Sequence, residues 1–352
     1  MTETAISAVL CTLGFLLLLW KVCCLSLRAK RFRYMASLSP QQDALLLFKL
    51  TNFVEFAFLS DKALQFALFR TFAIPSISRL LQATNQFSPT SVTRRYDDTG
   101  ILIQEFVLHH VDSRRGSRAI RRLNFIHGQY NISNDDFLYT LSLFILEPIR
   151  FSNKYGFKKW TEGEKQAQFI VWRDIGVRMG INNIPESLEE MDRFSRQYET
   201  SNMVYSKSNK VIGDATLDLL LSKVPALLRP LAKRAAFCLC DNKLLDAMGY
   251  PCQPLWFVWT VESIVKFWCG TFVIWFLPPR PMSWSTQRIP LQEEEEEEED
   301  EVVYKLRYQM YKPWTYPDGY KVSKVGAAPG GRVGKLGEGP LLCPFPYKKE
   351  IE

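Results

Sequence analysis

The chain has 352 residues, 47% hydrophobic and 13% aromatic, enough apolar material for a large core and too much for a disordered protein. Its formal charge of +7 comes from 44 basic against 37 acidic residues. The basic residues are scattered and much of the acid sits in one C-terminal run, so no basic stripe offers a nucleic-acid footprint.

Residues 5–27 carry a single charge, Lys21, and the centre from Leu13 to Trp20 is almost purely apolar. A helix of that length crosses a hydrocarbon core of about 30 Å. Trp20 and Lys21 then sit at headgroup level. A cleaved signal peptide needs basic residues ahead of the apolar run and a small-residue site behind it. Here Glu3 precedes and Arg28, Lys30, Arg31 and Arg33 follow, which favours a single-pass anchor. The positive-inside rule places residues 1–4 on the lumenal or outer side and the body in the cytosol. Residues 28–40 read as a basic juxtamembrane linker, with anionic membrane lipid as its partner. Cys23 and Cys24 are candidates for palmitoylation.

Residues 41–282 carry a helical pattern and few strand signals, so the fold class is all-α: a multi-helix globular domain behind one N-terminal transmembrane helix. Helices are predicted over 42–59, 62–72 and 76–84, with Pro75 between the last two. The polar run 91–100 reads as a loop, and 101–107 as a short strand or helical turn. Residues 117–128 form a basic amphipathic helix ended by Gly128, and 135–145 a strongly apolar helix. Thr161 with Glu164, and Ser187 with Glu190, have capping-box spacing. Helical stretches follow over 214–224 and 225–248. The apolar run 255–277 holds four tryptophans and admits three readings: a second span, a core helix, or a helix on the membrane surface. Glu262 and Lys266 argue against lipid on all sides and can pair at i,i+4, which favours core or surface. Residues 283–352, acidic over 293–301 and then rich in Gly, Pro and Lys, read as a disordered tail.

The chain lacks GxGxxG, Walker, GxSxG and HExxH motifs, so nucleotide, serine-hydrolase and zinc-protease chemistry have no support. Cys238 and Cys240 form CxC without a partner motif, so they read as buried small hydrophobes rather than zinc ligands. Histidine occurs three times, as His109, His110 and His127. His127 closes the helix Arg121–Gly128, where it is either a capped or core histidine or a metal ligand. The cluster 94–100 is either a solvated turn or a charged group set over a cofactor.

Arg95-x-x-Asp98-Thr99, followed by Arg-x-x-x-x-His-Gly ending on His127 and Gly128, resembles the family that contains the ER-bound oxygenase of mycophenolic acid biosynthesis and the bacterial rubber oxygenase. Trp172-Arg173-Asp174 through Pro185, and Met248-Gly249-Tyr250-Pro251 through Pro281, are similar to later segments of that family, so the resemblance covers roughly residues 75–281. It implies an all-α fold and, as in the rubber oxygenase, haem b with one axial histidine, which by position is His127. Arg95 and Thr99 match that enzyme's distal motif, while Asp98 stands where it has lysine. The implied reaction is O₂-dependent oxidative cleavage of a C=C bond in an apolar or prenylated small molecule, at the endoplasmic reticulum membrane, in fungal secondary metabolism. Arg95, Asp98 and Thr99 are the catalytic candidates and His127 holds the haem iron. Non-haem iron bound by His109 or His110 with His127 and Asp97 or Asp112 is the alternative cofactor. A membrane-tethered helical scaffold recruiting partners through its acidic tail is the alternative function.

Overall fold

In the computed structural model, which describes residues 3–281, 302–312 and 314–326, the body is helical and no strand forms among the described residues. The acidic run 293–301 and the Gly/Pro/Lys-rich end beyond 326 lie outside them. The first helix, α1 (Glu3–Ser37), is 35 residues long. From Ile6 to Trp20 it is exposed on every side, and its apolar stretch is long enough to cross a membrane. The helix does not stop at the basic flank but runs through it to Ser37. Cys24, Arg28 and Met35 are buried on one stripe. Arg31 donates to Glu55 at 2.6 Å, Arg28 lies 3.5 Å from the same carboxylate, and Phe32 stacks on Phe157. Glu55, buried in the body, draws the arginines down and welds the anchor to it. Lys30 and Arg33 remain exposed.

The body follows as α2 (Ala44–Lys49), a π-helical turn over Leu50–Glu55, α3 (Ala57–Thr71), α4 (Pro75–Ala83), α5 (Val92–Leu108), α6 (Arg114–His127), α7 (Asn134–Tyr155), α8 (Glu162–Arg178), α9 (Leu188–Asn202), α10 (Lys207–Leu220), α11 (Arg229–Phe237) and α12 (Asn242–Met248). α13 (Leu255–Lys266) runs through a π-helical turn, Phe267–Phe272, into α14 (Val273–Phe276). Residues 91–100, read as a loop from their polar composition, instead form the first half of α5. Their acidic side chains are buried against other elements, so polarity there marks partners rather than solvent. Residues 101–107 complete the same helix. Thr161 and Glu164 form the reciprocal capping box at the start of α8. Ser187 caps α9, but the Glu190 side chain accepts from the Glu186 amide rather than closing a box. Gly180, at φ 76°, ends α8 in the left-handed region that favours glycine.

α7 is the central helix, packed against α3, α8 and α9. Pro148 lies inside it and has no N–H to give the Phe144 carbonyl one turn back. The Gln168 side chain fills that gap, donating to the Phe144 carbonyl at 2.9 Å and accepting from Asn52 at 2.9 Å. Asn52 in turn donates to the Phe48 carbonyl at 3.1 Å. One chain of hydrogen bonds thus ties the proline in α7 to α8, the π turn and α2. A second staple joins α3, α7 and α9: Arg70 grips Glu199 with two bonds, 2.7 and 2.8 Å long, and Tyr139 donates to the same carboxylate at 3.0 Å. Breaking a buried pair of this kind costs roughly 3–5 kcal/mol.

Residues 302–326, placed by composition in a disordered tail, are ordered against α5 and α6. Thr315 donates to Asp97 at 2.7 Å, Tyr316 to Asp98, and Tyr320 to Glu105. Arg122 of α6, fully buried, donates to the carbonyls of Val325 at 2.8 Å and Gly326 at 2.9 Å. Tyr304 lies under Arg115 at 3.8 Å. Gly326 has φ 83°, and a Cβ there would meet Ile126 at 2.5 Å, so glycine is required twice over.

The run 255–277 is a surface helix, not a core one. No residue of α13 is buried, and Glu262 pairs with Lys154 at 2.5 Å while standing 3.8 Å from Lys266.

Gln168→Leu should leave the Phe144 carbonyl and the Asn52 amide short of partners, at roughly 1–3 kcal/mol per orphaned group. Urea unfolding measures it, and an unchanged midpoint would remove Gln168 from this role. Tyr316→Phe and Asp98→Ala should each destabilise, and the double variant should cost less than the two together, because each change removes the same hydrogen bond. Strict additivity in that cycle would break the assigned contact between tail and α5.

Candidate functional site

A cavity of about 990 Å³ opens between α3, α4, α5, α6 and α7, with α8, α9 and α10 closing it. Its walls are mainly apolar, among them Phe48, Phe53, Leu64, Phe72, Leu102, Phe106, Phe144 and Trp172. Such walls suit an apolar ligand positioned by a few polar groups.

Those polar groups come from the residues singled out in the sequence, with one exception. On α5 the i,i+4 spacing puts Arg95 and Thr99 on one face, and both line the cavity with Leu102, Ile103 and Phe106. On α6 Leu123 and His127 share the same spacing and form the facing wall. Asp98 is the exception. It turns off the cavity to accept from Tyr316, with Arg94 at 3.8 Å, and burial holds its carboxyl above the usual carboxylate range. Asp98 therefore does not line the cavity beside Arg95 and Thr99. The tail, whose docking composition did not suggest, supplies the donor that takes it away.

His127 ends α6 with its ring beside Phe137, centroids 5.3 Å apart. Its Nδ1 is buried and has no hydrogen-bond partner among the described residues. Burial, reinforced by the positive charge of Arg95, lowers its pKa to about 4, so the imidazole is neutral at physiological pH. That Arg95 acts on it places the two residues within electrostatic reach across the cavity. The Arg95 guanidinium is itself desolvated, which lowers its pKa, while Asp98 and Tyr130 favour its charge. Arginine nevertheless stays charged in proteins. The Thr99 hydroxyl donates to the Arg95 carbonyl at 2.8 Å, so only its oxygen lone pairs are left to face a ligand.

The residues of the non-haem alternative are dispersed among other partners. His109 is buried with Nε2 3.7 Å from Glu105, and burial lowers its pKa to about 3. His110 is exposed beside Asp112, Asp112 is paired with Arg178, and Asp97 accepts from Thr315. Among the described residues no three His, Cys, Asp or Glu side chains gather as a metal-binding group. Two site residues escaped the sequence reading, Phe137 against His127 and Tyr130 near Arg95. Their position, within ten residues after His127, was the available signal.

No family model matches the chain. Curated relatives do. It is 33% identical over 269 residues to the ER-bound oxygenase mpaB' of Penicillium brevicompactum, covering 70% of this chain and 62% of that protein. To the ER-bound oxygenase mpaB of Penicillium roqueforti (strain FM164) it is 34% identical over 226 residues, 59% of this chain and 76% of that one. To the mpaB of Penicillium brevicompactum it is 35% identical over 198 residues, about half of each. The chain spans less than two thirds of the first of these relatives and half of the third. With a third of the positions identical over three quarters of the Penicillium roqueforti protein, the chain belongs to the family of the ER-bound oxygenases mpaB.

Proposed function

We propose that this chain is an oxygenase anchored in the endoplasmic reticulum membrane, which binds haem b through His127 and cleaves a C=C bond of an apolar or prenylated intermediate in fungal secondary metabolism. The observation that carries the reading is His127, a half-buried ring whose Nδ1 is buried and unpartnered among the described residues, on the wall of an apolar cavity of about 990 Å³. The relatives named as ER-bound oxygenases support the reaction class.

The residues fit the cofactor. A neutral imidazole is the form that ligates iron, and a buried nitrogen without a hydrogen bond gains one bond and loses none on binding. Arg95 offers a desolvated cation with no salt bridge among the described residues, suited to a propionate of the haem or a polar end of the substrate. Bound at His127, haem would supply the iron chemistry with O₂. The chain does the rest. Its aromatic and aliphatic walls exclude water and hold the hydrocarbon chain, and Arg95 fixes orientation at one end. Thr99 accepts a hydrogen bond there. Asp98, committed to Tyr316, moves no proton in the cavity. α1 keeps the cavity beside the bilayer into which a prenyl-type chain partitions.

His127→Ala should abolish the Soret band and the stoichiometric iron of the purified full-length protein, with circular dichroism unchanged. A Soret band of wild-type intensity in that variant removes His127 as the ligand. The pH dependence of the haem-free protein offers a separate check. Below pH 6.5 an unfolded His127 takes up a proton that the folded one refuses until about pH 4, so its contribution to stability is complete above 6.5 and declines as pH falls toward 4. Urea unfolding at pH 7 and pH 5 should therefore show a smaller loss for His127→Ala than for wild type. Equal losses would place the His127 pKa near its ordinary value.

A further inference from the structure

We propose that α13 and α14 form a second membrane contact, a helix half-immersed in the plane of the bilayer, so that the body lies on the membrane at two points. The outward face carries Trp256, Trp259, Ile264, Phe267 and Trp268, between 55 and 73% exposed. The opposite face is committed to the body. Glu262 pairs with Lys154, Cys269 is buried, and the backbone at Gly270 lies against the carbonyls of Tyr155 and Gly156. A helix held to the body on one side at Glu262, Cys269 and Gly270 offers its other side to lipid, which suits an in-plane helix rather than a crossing one, although its length and hydropathy would allow crossing.

The occupant is the bilayer because the apolar face continues the anchor. The Lys21 ammonium of α1 lies 2.7 Å from the centroid of the Trp275 ring. Arg28 donates to the carbonyls of Val273 at 3.1 Å and Leu277 at 3.0 Å, which have no further turn of helix to bond. The end of α14 is therefore fixed at the level where α1 passes from exposed apolar surface to buried contacts. That is the headgroup level, where tryptophan is favoured. Because α1 is welded to the body through Glu55, the plane containing α13 is set by the same joint.

The test uses the full-length protein in phosphatidylcholine vesicles whose acyl chains are brominated either near the headgroups or near the bilayer centre. The expected result is quenching of tryptophan emission, with the variant Trp256→Phe/Trp259→Phe/Trp268→Phe losing roughly half of the quenchable emission and Trp20 and Trp275 retaining the rest. The emission lost in the variant should be the part quenched most strongly by the shallow bromines. Phenylalanine keeps the face apolar, so the fold is undisturbed. Quenching unaltered in the triple variant would overturn the proposal, and so would strongest quenching of that component from the bilayer centre, which would make the segment a second span. Absence of all quenching would overturn the placement of α1 along with it.

Discussion

Three carboxylates buried on α5, those of Asp97, Asp98 and Glu105, constrain everything around them. A carboxylate removed from water without partners costs several kcal/mol, so each must find donors in the fold. α6 supplies Arg115 to Glu105 at 2.6 and 3.0 Å. Further donors are Thr315, Tyr316 and Tyr320, from a segment two hundred residues further along the chain. The tail is thus a structural part of the domain. Without it Asp97 and Asp98 would lose the hydroxyl donors of Thr315 and Tyr316.

That arrangement divides both helices into a structural face and a chemical one. On α6, Arg115 and Arg122 are seven residues apart, on the side that meets Glu105 and the tail carbonyls. His127 lies five residues beyond Arg122, about 140° around the helix, and so points away from the tail and into the cavity. On α5, Glu105 stands about 80° around the helix from Arg95 and about 120° from Thr99. Anchoring the two helices by their charged faces leaves their other faces fixed, opposite each other, across the apolar space. The neutrality of His127 follows from that position, since burial and the Arg95 charge both oppose its protonation.

Much of this was legible in the residues, and the failures share a cause. The helical body, the capping box at Thr161 and the glycine end at Gly180 follow from spacing, because they depend on residues close in sequence or on helical periodicity, whereas the grouping of Arg95 and Thr99 with His127 rests on the family resemblance alone. The stretch 91–100 and the segment 302–326 were misread for one reason. Polar composition was taken to mean solvent, whereas each is polar because it is the other's partner. Asp98 entered with Arg95 and Thr99 through the family motif, and only the distant Tyr316 shows that it turns off the cavity they line. The basic flank of α1 repeats the pattern in part, since Arg28 and Arg31, read from composition as lipid-facing, are held by Glu55 of the body.

A cavity of this size weakens the body that contains it, since its lining side chains lack neighbours on one side. The polar staples are placed where that weakness lies. Arg70 with Glu199 and Tyr139 clamps α3, α9 and α7 behind one wall. Asn209 of α10 donates to the carbonyls of Ala73, Val204 and Ala247 and accepts from Ser78, closing the far end. The Gln168 bridge carries the helix of the third wall across its proline. These networks fix backbones rather than fill space, so they hold the walls apart without occupying the volume between them. A ligand that fills that volume then restores the missing contacts and stabilises the folded chain by mass action. The architecture is therefore that of a container whose rigidity is built into its rim and whose cohesion is completed by what it binds.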